Sequence, residues 1–244
     1  MNAQHLAGRF TGTLAPFARS LCLEDGGPRL EAGALLDAGR LKDLIDRFDA
    51  SNPGGDRRAV VSMWSQWHFA AVIVPSVVGT LLGRVEIPIR LGEAALALHE
   101  NGCTAGVVLA PAAPLPASPD RERFAPLLEG HLAPLVDSLA KPFGVSPKLL
   151  WNNAAGSLAW TVQQCAAQAG VDDEGLAEAE AILTSPLLAG GTRNALHGML
   201  KPSPLVPLDR CQRRICCLRY LLPGVADCGS YCPLTEQARA VRQG

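Results

Sequence analysis

Five of the eight cysteines lie within twenty-two residues near the C-terminal end of the chain. They are Cys211, Cys216, Cys217, Cys228 and Cys232. Four thiolates in one short segment can hold a metal centre, and a four-cysteine site suits either a zinc ion or an iron–sulfur cluster. The kind of centre therefore bears directly on what the protein does.

The spacing of these cysteines favours iron and sulfur. A structural zinc site draws its cysteines in pairs about two to four residues apart. Cys228 and Cys232 fit that rule, whereas the side chains of the adjacent Cys216 and Cys217 diverge and do not readily chelate one small ion. A cluster with two irons spreads its thiolate sites, so neighbouring cysteines can reach different irons, or one iron through an unusual loop. We expect a [2Fe–2S] cluster, with zinc, or a disulfide or free thiols, as the alternatives.

The same segment resembles the C-terminal signature of FhuF-like ferric-siderophore reductases, which carry a [2Fe–2S] cluster on a Cys-Cys-x10-Cys-x2-Cys pattern. Cys216 and Cys217 are followed by ten residues and then by Cys228, as in that pattern. Three residues instead of two separate Cys228 from Cys232. Weaker similarities lie upstream, at residues 62–68, 129–134 and 150–155. The resemblance implies that Cys216, Cys217, Cys228 and Cys232 are the cluster ligands and that Cys211 is not.

The resemblance also implies a reaction, namely one-electron reduction of an Fe(III)–siderophore in the cytoplasm with release of Fe(II). A hydroxamate siderophore is the first expectation for the substrate. The chain has no Gly-rich dinucleotide fingerprint followed by an acidic partner, so we expect a separate electron-donor protein such as a ferredoxin or flavin reductase. Two other interpretations are an electron carrier without a siderophore substrate and a zinc-stabilised binding module.

The charge of the C-terminal segment differs from that of the whole chain. Residues 201–244 contain seven Lys/Arg and three Asp/Glu, which gives +4 in a chain of net charge −1. A four-thiolate cluster is negative, and nearby cations favour its reduced state. Arg214 and Arg219, which flank the paired cysteines, are our candidates for contact with an anionic ligand. The overall charge gives no reason to expect nucleic acid as a partner.

Cysteine use and hydropathy point to a cytoplasmic location, with peripheral association at the inner membrane as a second option. Eight cysteines are too few for a disulfide scaffold, and we expect Cys22, Cys103 and Cys165 to be buried thiols. The N-terminus lacks the basic-then-apolar order of a secretory signal. The uninterrupted apolar run at 69–82 is short for a bilayer, so we expect a core helix and no transmembrane segment.

The pattern of apolar residues and turn signals predicts an α+β fold that is mainly helical, with a small antiparallel sheet and a C-terminal [2Fe–2S]-binding loop. A siderophore-binding body over 1–200 would precede a cluster-binding segment over 201–244. Trp64, Trp67 and His68 share a helix face, which favours an aromatic core with a hydrogen-bonded histidine over a ligand-facing wall. Predicted helices cover 34–49, 57–82 with a bend near Pro75, 121–140, 147–169, 172–184 and 233–242. An edge strand is predicted over 85–90, and a hairpin pairs 94–99 with 103–109 around Asn101-Gly102.

Overall fold

The computed structural model describes residues 1–23, 28–202, 211–226, 228 and 231–234 of the chain. Its fold is α+β and mainly helical, as predicted. The α-helices of this part are α1 (Ala3–Ala7), α2 (Ala38–Ala50), α3 (Arg57–Val78), α4 (Ala125–Leu127), α5 (Ala133–Phe143), α6 (Pro147–Ala166) and α7 (Asp173–Thr184). The strands are β1 (Leu21–Cys22), β2 (Arg29–Glu31), β3 (Ala95–Leu98), β4 (Thr104–Val108), β5 (Leu200–Pro202) and β6 (Cys211–Arg213).

Helix α3 is the centre of the molecule and packs most extensively against α6. Asp56 starts α3 by accepting hydrogen bonds from the amides of Arg58 and Ala59, which have no partner inside the helix. The helix continues through Pro75 and ends in a π-helical turn at Gly79–Gly83. A helix that is apolar on all sides belongs in a core, and 83% of its most apolar stretch is buried. The predicted core helix is thereby confirmed.

The main sheet has the strand order β1-β4-β3-β2. Strands β3 and β4 pair antiparallel on either side of Asn101 and Gly102, as the hairpin signal predicts. Gly102 has a φ of +83°, the left-handed conformation that this turn requires. Strand β2 also pairs antiparallel, whereas β1 joins β4 in parallel, a pairing that the sequence did not predict. Strands β5 and β6 form a separate antiparallel pair.

The predicted edge strand over 85–90 is wrong. Val85, Ile87 and Ile89 alternate inward and are buried, but only Val85 forms a β-bridge, with Ala117. The alternation reflects burial and not strand pairing, because this segment lies beside loops and a helix. The carbonyl of Ile89, for example, accepts a hydrogen bond from His131.

The helix predicted over 121–140 begins later, at Ala125. Ser118, whose Ser-Pro pair is typical of a helix start, does not cap it, because its hydroxyl has no hydrogen-bond partner among the described residues. Glu122 then has a φ of +54°, which breaks a right-handed helix. From Ala125 the helical path runs through α4, a π-helical turn at Leu128–Leu132 and α5.

The remaining helix boundaries agree more closely with the sequence. The segment predicted over 34–49 begins as a 3-10 turn at Ala32–Leu36, and α2 follows with Asp37 as its cap. Helix α6 ends at Ala166, three residues before its predicted end. Helix α7 was expected to start at a cap formed by Asp172 or Asp173, and it is Asp172 that caps it, through the amide of Gly175. The terminal helix predicted over 233–242 lies almost wholly outside the described residues, and the division of the chain at residue 200 stays a prediction.

Candidate metal centre

The structure brings the four predicted cysteines together in two pairs. The Sγ atoms of Cys217 and Cys228 are 3.7 Å apart, and Cys232 lies close enough to Cys216 to raise the pKa of that thiol. The adjacent Cys216 and Cys217 therefore belong to different pairs. Cys217 and Cys232 are buried, whereas Cys216 and Cys228 are half-buried.

This arrangement fits a centre with two metal ions. Two thiolates at about 2.3 Å from one tetrahedral metal lie about 3.8 Å apart, close to the Cys217–Cys228 separation. Within the described residues, no three His, Cys, Asp or Glu side chains are close enough to hold a single ion. Two pairs of thiols match the two irons of a [2Fe–2S] cluster better than they match one zinc ion.

Hydrogen bonding and charge lower the pKa of Cys217. The hydrogen bond from Cys228, the cations of Arg213 and Arg219 and the amide of Arg219 together lower the pKa of Cys217 to about 5 against the effect of burial. The pKa of Cys228 is raised, because Cys228 keeps the shared proton and is partly buried. Burial raises the pKa of Cys216 to about 11. Thiolates are the form that binds metals, so the lowered pKa of Cys217 prepares this thiol for ligation.

A backbone reversal points amides at the paired cysteines. Leu218 has a φ of +62°, which is rare for a residue with a side chain. Its amide lies 3.4 Å from Sγ of Cys216, and the amide of Arg219 helps to lower the pKa of Cys217. Amide donors to cysteine sulfur stabilise added negative charge there, which favours the reduced state of an iron–sulfur centre.

Helix α6 holds the chain just before the cysteines through Asn152. The fully buried Asn152 accepts hydrogen bonds through Oδ1 from the amides of Arg214, at 3.1 Å, and Ile215, at 2.9 Å. The Asn152 side chain thus accepts the hydrogen bonds that a neighbouring strand would accept from these two amides. It fixes the direction in which the chain enters Cys216.

Helices α3 and α6 also share a buried polar network beneath Cys217. Ser62 donates a hydrogen bond of 2.7 Å to the carbonyl of Cys217. Asn153 donates to the hydroxyls of Ser62, at 3.0 Å, and Ser65, at 3.1 Å, and its Oδ1 accepts from Arg213. Arg213 also donates to Gln66 at 3.3 Å. The network fixes the guanidinium of Arg213 beside the cysteines.

Two buried donors at this site have no hydrogen-bond partner among the described residues. They are Nδ2 of Asn152 and Nε of Arg219. Buried donors without acceptors are rare in proteins, and each calls for an explanation. An iron–sulfur cluster brings sulfide and thiolate acceptors, so unsatisfied donors on the elements that hold the cysteines fit such a group.

A cavity of about 710 Å³ adjoins the cysteine site, and we call it the arginine cavity. It shares Arg213 and Arg219 with the surroundings of Cys217. Its lining consists of Pro16, Phe17, Arg19, Ser20, Gln66, Trp67, Ala70, Ala71, His99, Thr104, Ala105, Ser157, Arg213 and Arg219. A second, mainly apolar cavity of about 360 Å³ lies between Phe124 and Ile182, and none of the described residues that line it is a cysteine or an arginine.

The candidate arginines are placed differently from each other. Arg219 lines the arginine cavity, whereas Arg214 is exposed and donates to the carbonyl of Leu200. Arg213 lines the cavity as well and was not singled out from the sequence. Asn152 and Asn153 were also missed as site residues, although two adjacent asparagines inside a helix are poor helix formers and could have signalled a role.

The aromatic face predicted on α3 is only partly a core. Trp64 and His68 are fully buried and stack with ring centroids 5.1 Å apart, as the core interpretation predicts. Trp67 is 49% exposed and lines the arginine cavity. Of the other thiols, Cys103 and Cys165 are buried as predicted, whereas Cys22 is half-buried.

Comparison with known proteins agrees with this site. A family model described as "Ferric iron reductase FhuF-like transporter" matches residues 62–203, and one described as "FhuF 2Fe-2S C-terminal domain" matches residues 213–234. The second match contains all four cysteines and confirms the predicted [2Fe–2S] cofactor.

A curated relative from Escherichia coli (strain K12), the "Ferric siderophore reductase", is 26% identical over 181 residues. The aligned part is 71% of this chain and 65% of the relative. The chain therefore spans slightly less than two thirds of that relative's length.

Proposed function

This chain belongs to the FhuF-like ferric iron reductase family, and we propose that it reduces the ferric ion of a bound siderophore in the cytoplasm. One observation carries the proposal. The four-cysteine site and the arginine cavity are in contact through Arg213 and Arg219. A chelate in the cavity would therefore lie beside the residues that hold the cofactor, as electron transfer requires.

We assign the four cysteines as the ligands of the [2Fe–2S] cluster. Cys217 and Cys228 would hold one iron, and Cys216 and Cys232 the other, as their pairing suggests. When bound, the cluster supplies the single electron that converts the ferric ion of the substrate to ferrous iron. Ser62, Asn152 and Asn153 position the loop, and burial of Cys217 and Cys232 limits the access of water.

The chemistry of iron explains why one electron is sufficient. Ferric iron is small and hard, and the oxygen donors of siderophores hold it strongly. Ferrous iron binds the same oxygens more weakly and exchanges ligands faster. The released oxygens can take protons from water, so no dedicated acid or base is needed. The protein's tasks are to bind the chelate near the cofactor and to orient it.

The electrons would come from a separate protein, because the sequence lacks a dinucleotide fingerprint. Cys216 and Cys228 are half-buried, which leaves one side of the site accessible to such a donor. Arg214 is exposed next to Cys216 and would attract an acidic surface. A ferredoxin or a flavin reductase has the required chemistry.

The proposal is tested by anaerobic stopped-flow mixing of the reduced protein with ferric siderophores. We expect oxidation of the protein to saturate with siderophore concentration, because a binding step in the cavity precedes the transfer. A carrier that does not bind siderophores would react in proportion to concentration, with no saturation and no distinction between chelates. That result would favour the interpretation as an electron carrier over the interpretation as a reductase.

A further inference from the structure

We propose that the arginine cavity selects ferric chelates that are both anionic and aromatic, which is the catecholate class. This inference deepens the proposed function and rests on it. It differs from the hydroxamate expected from the family resemblance, because the lining of the cavity has its own chemistry.

The first argument is the charge of the cavity. Among the residues that the structure describes, its lining includes Arg19, Arg213 and Arg219 and no Asp or Glu. The ion pairs among the described residues are made by other cations, at Lys42, Arg57, Arg58, Arg84 and Arg123. A concave site lined by cations without carboxylates concentrates a positive potential and attracts anions.

The three arginines donate hydrogen bonds to uncharged groups, which do not cancel their positive charge. Arg19 donates to the carbonyl of Pro16, Arg213 to two side-chain amides, and Arg219 to the sulfur of Met63. Arg213 and Arg219 also act on Cys217, so a bound cluster would offset part of their charge. Arg19 has no described interaction with the cysteines, so its charge remains available to a ligand in the cavity.

The second argument is the aromatic surface. Trp67 is one of the few large apolar side chains that are strongly exposed, at 49%, and it faces the cavity. Its indole nitrogen already donates to Met63, so the ring faces are what it offers a ligand. Phe17 lines the same cavity and packs against Trp160 at 5.2 Å. Exposed aromatic faces beside arginines suit a ligand that carries aromatic rings and negative charge.

The siderophore classes differ in these two properties. Three dianionic catecholates around a ferric ion give a trianion whose rings lie at its surface. Three monoanionic hydroxamates give a neutral complex without rings. Ferric citrate complexes are anionic but lack rings. Only the catecholate complex matches both the charge and the aromatic lining of the cavity.

The test uses gallium(III) chelates, which copy the charge and size of the ferric complexes but cannot be reduced. Binding of gallium tris-catecholate, trihydroxamate and citrate to the cluster-loaded protein is measured by isothermal titration calorimetry. We expect the catecholate to bind at least about tenfold more tightly than the trihydroxamate, with citrate between them. Added salt should weaken catecholate and citrate binding and leave the hydroxamate unchanged.

Two substitutions separate the charge from the rings. Arg19→Gln should weaken catecholate and citrate binding about fivefold to tenfold, and Trp67→Leu should weaken catecholate binding alone by about fivefold. Arg40→Gln is the matched control, because Arg40 is exposed and lies outside the cavity, and its affinities should equal those of the unmodified protein.

The outcomes distinguish this inference from the proposed function. Equal or tighter binding of the trihydroxamate, or no effect of Arg19→Gln, overturns the inference and leaves the reductase intact if ferric hydroxamates are reduced. Absence of binding by all three chelates overturns both.

Discussion

Acidification should destabilise the fold through a pair of buried histidines that form no ion pair among the described residues. His68 and His131 are fully buried, with their Nε2 atoms 2.8 Å apart. The carbonyl of Ile89 can only accept, so Nδ1 of His131 carries the proton and donates to it at 2.6 Å. Nε2 of His131 must then accept from Nε2 of His68, whose Nδ1 accepts from the hydroxyl of Thr104 at 2.7 Å. Two of these hydrogen bonds require neutral rings, because Nε2 of His131 and Nδ1 of His68 each accept through an unprotonated nitrogen.

The size of the effect follows from the pKa values. Burial lowers the pKa of His131 to about 4, and burial and the neighbouring His131 lower that of His68. Because the unfolded chain takes up a proton near its ordinary pKa of about 6.5 and the native state does not, stability is full above that value and falls as the pH drops toward 4. At about pH 5, His131 alone should cost about 2 kcal/mol, and His68 adds a loss of the same sign.

The assay is urea unfolding followed by tryptophan fluorescence at about pH 8 and about pH 5. The pKa values of Asp46 and Asp56 are lowered by Lys42 and Arg58, so these carboxylates contribute little in this window. His131→Gln should lose clearly less stability between the two pH values than the unmodified protein. His5→Gln, at a surface residue, is the control. A total loss below about 1 kcal/mol, or equal losses in His131→Gln and the unmodified protein, would refute the reasoning.

Three further predictions concern the metal centre. Asn153→Ala should lower the free energy of unfolding by about 3 kcal/mol, because it leaves several buried partners unsatisfied. Lys148→Ala, at an exposed position on the same helix, should cost under about 0.5 kcal/mol, and equal costs in chemical unfolding would contradict the buried network. Arg213→Gln should lower the midpoint potential of the cluster in a redox titration by roughly 50 mV, because a nearby cation favours the reduced cluster. Arg213→Lys, which keeps the charge, should lower it much less. An unchanged midpoint potential in Arg213→Gln would contradict this effect of the charge. Cys211→Ser should keep the visible absorption of the cluster, and Cys232→Ser should lose it. The opposite pattern would show that Cys211, and not Cys232, is a cluster ligand.

The features that the sequence predicted are those encoded locally. The cysteine spacing indicated a two-iron cofactor because adjacent cysteines suit two metals better than one. The Asn101-Gly102 pair predicted the hairpin, and a cap at Asp172 or Asp173 predicted the start of α7, because each depends on residues a few positions apart.

The features that were missed depend on contacts between distant segments. The alternation over 85–90 reports burial, which loops and a helix provide as well as a sheet does. Arg213 was passed over because its role depends on Asn153, sixty residues earlier in the chain. Residues from several separate segments line the cavity, so no single sequence motif could predict it.

The most direct measurement is a count of ferrous iron in a single turnover. The protein is reduced by one electron, freed of excess reductant and mixed anaerobically with ferric siderophore in the presence of a ferrous chelator. Reduction at the cavity predicts about one trapped ferrous ion per oxidised protein, at a rate that saturates with siderophore and is lost in Cys217→Ser. Oxidation of the protein without trapped ferrous iron, or undiminished trapping by Cys217→Ser, would contradict the account.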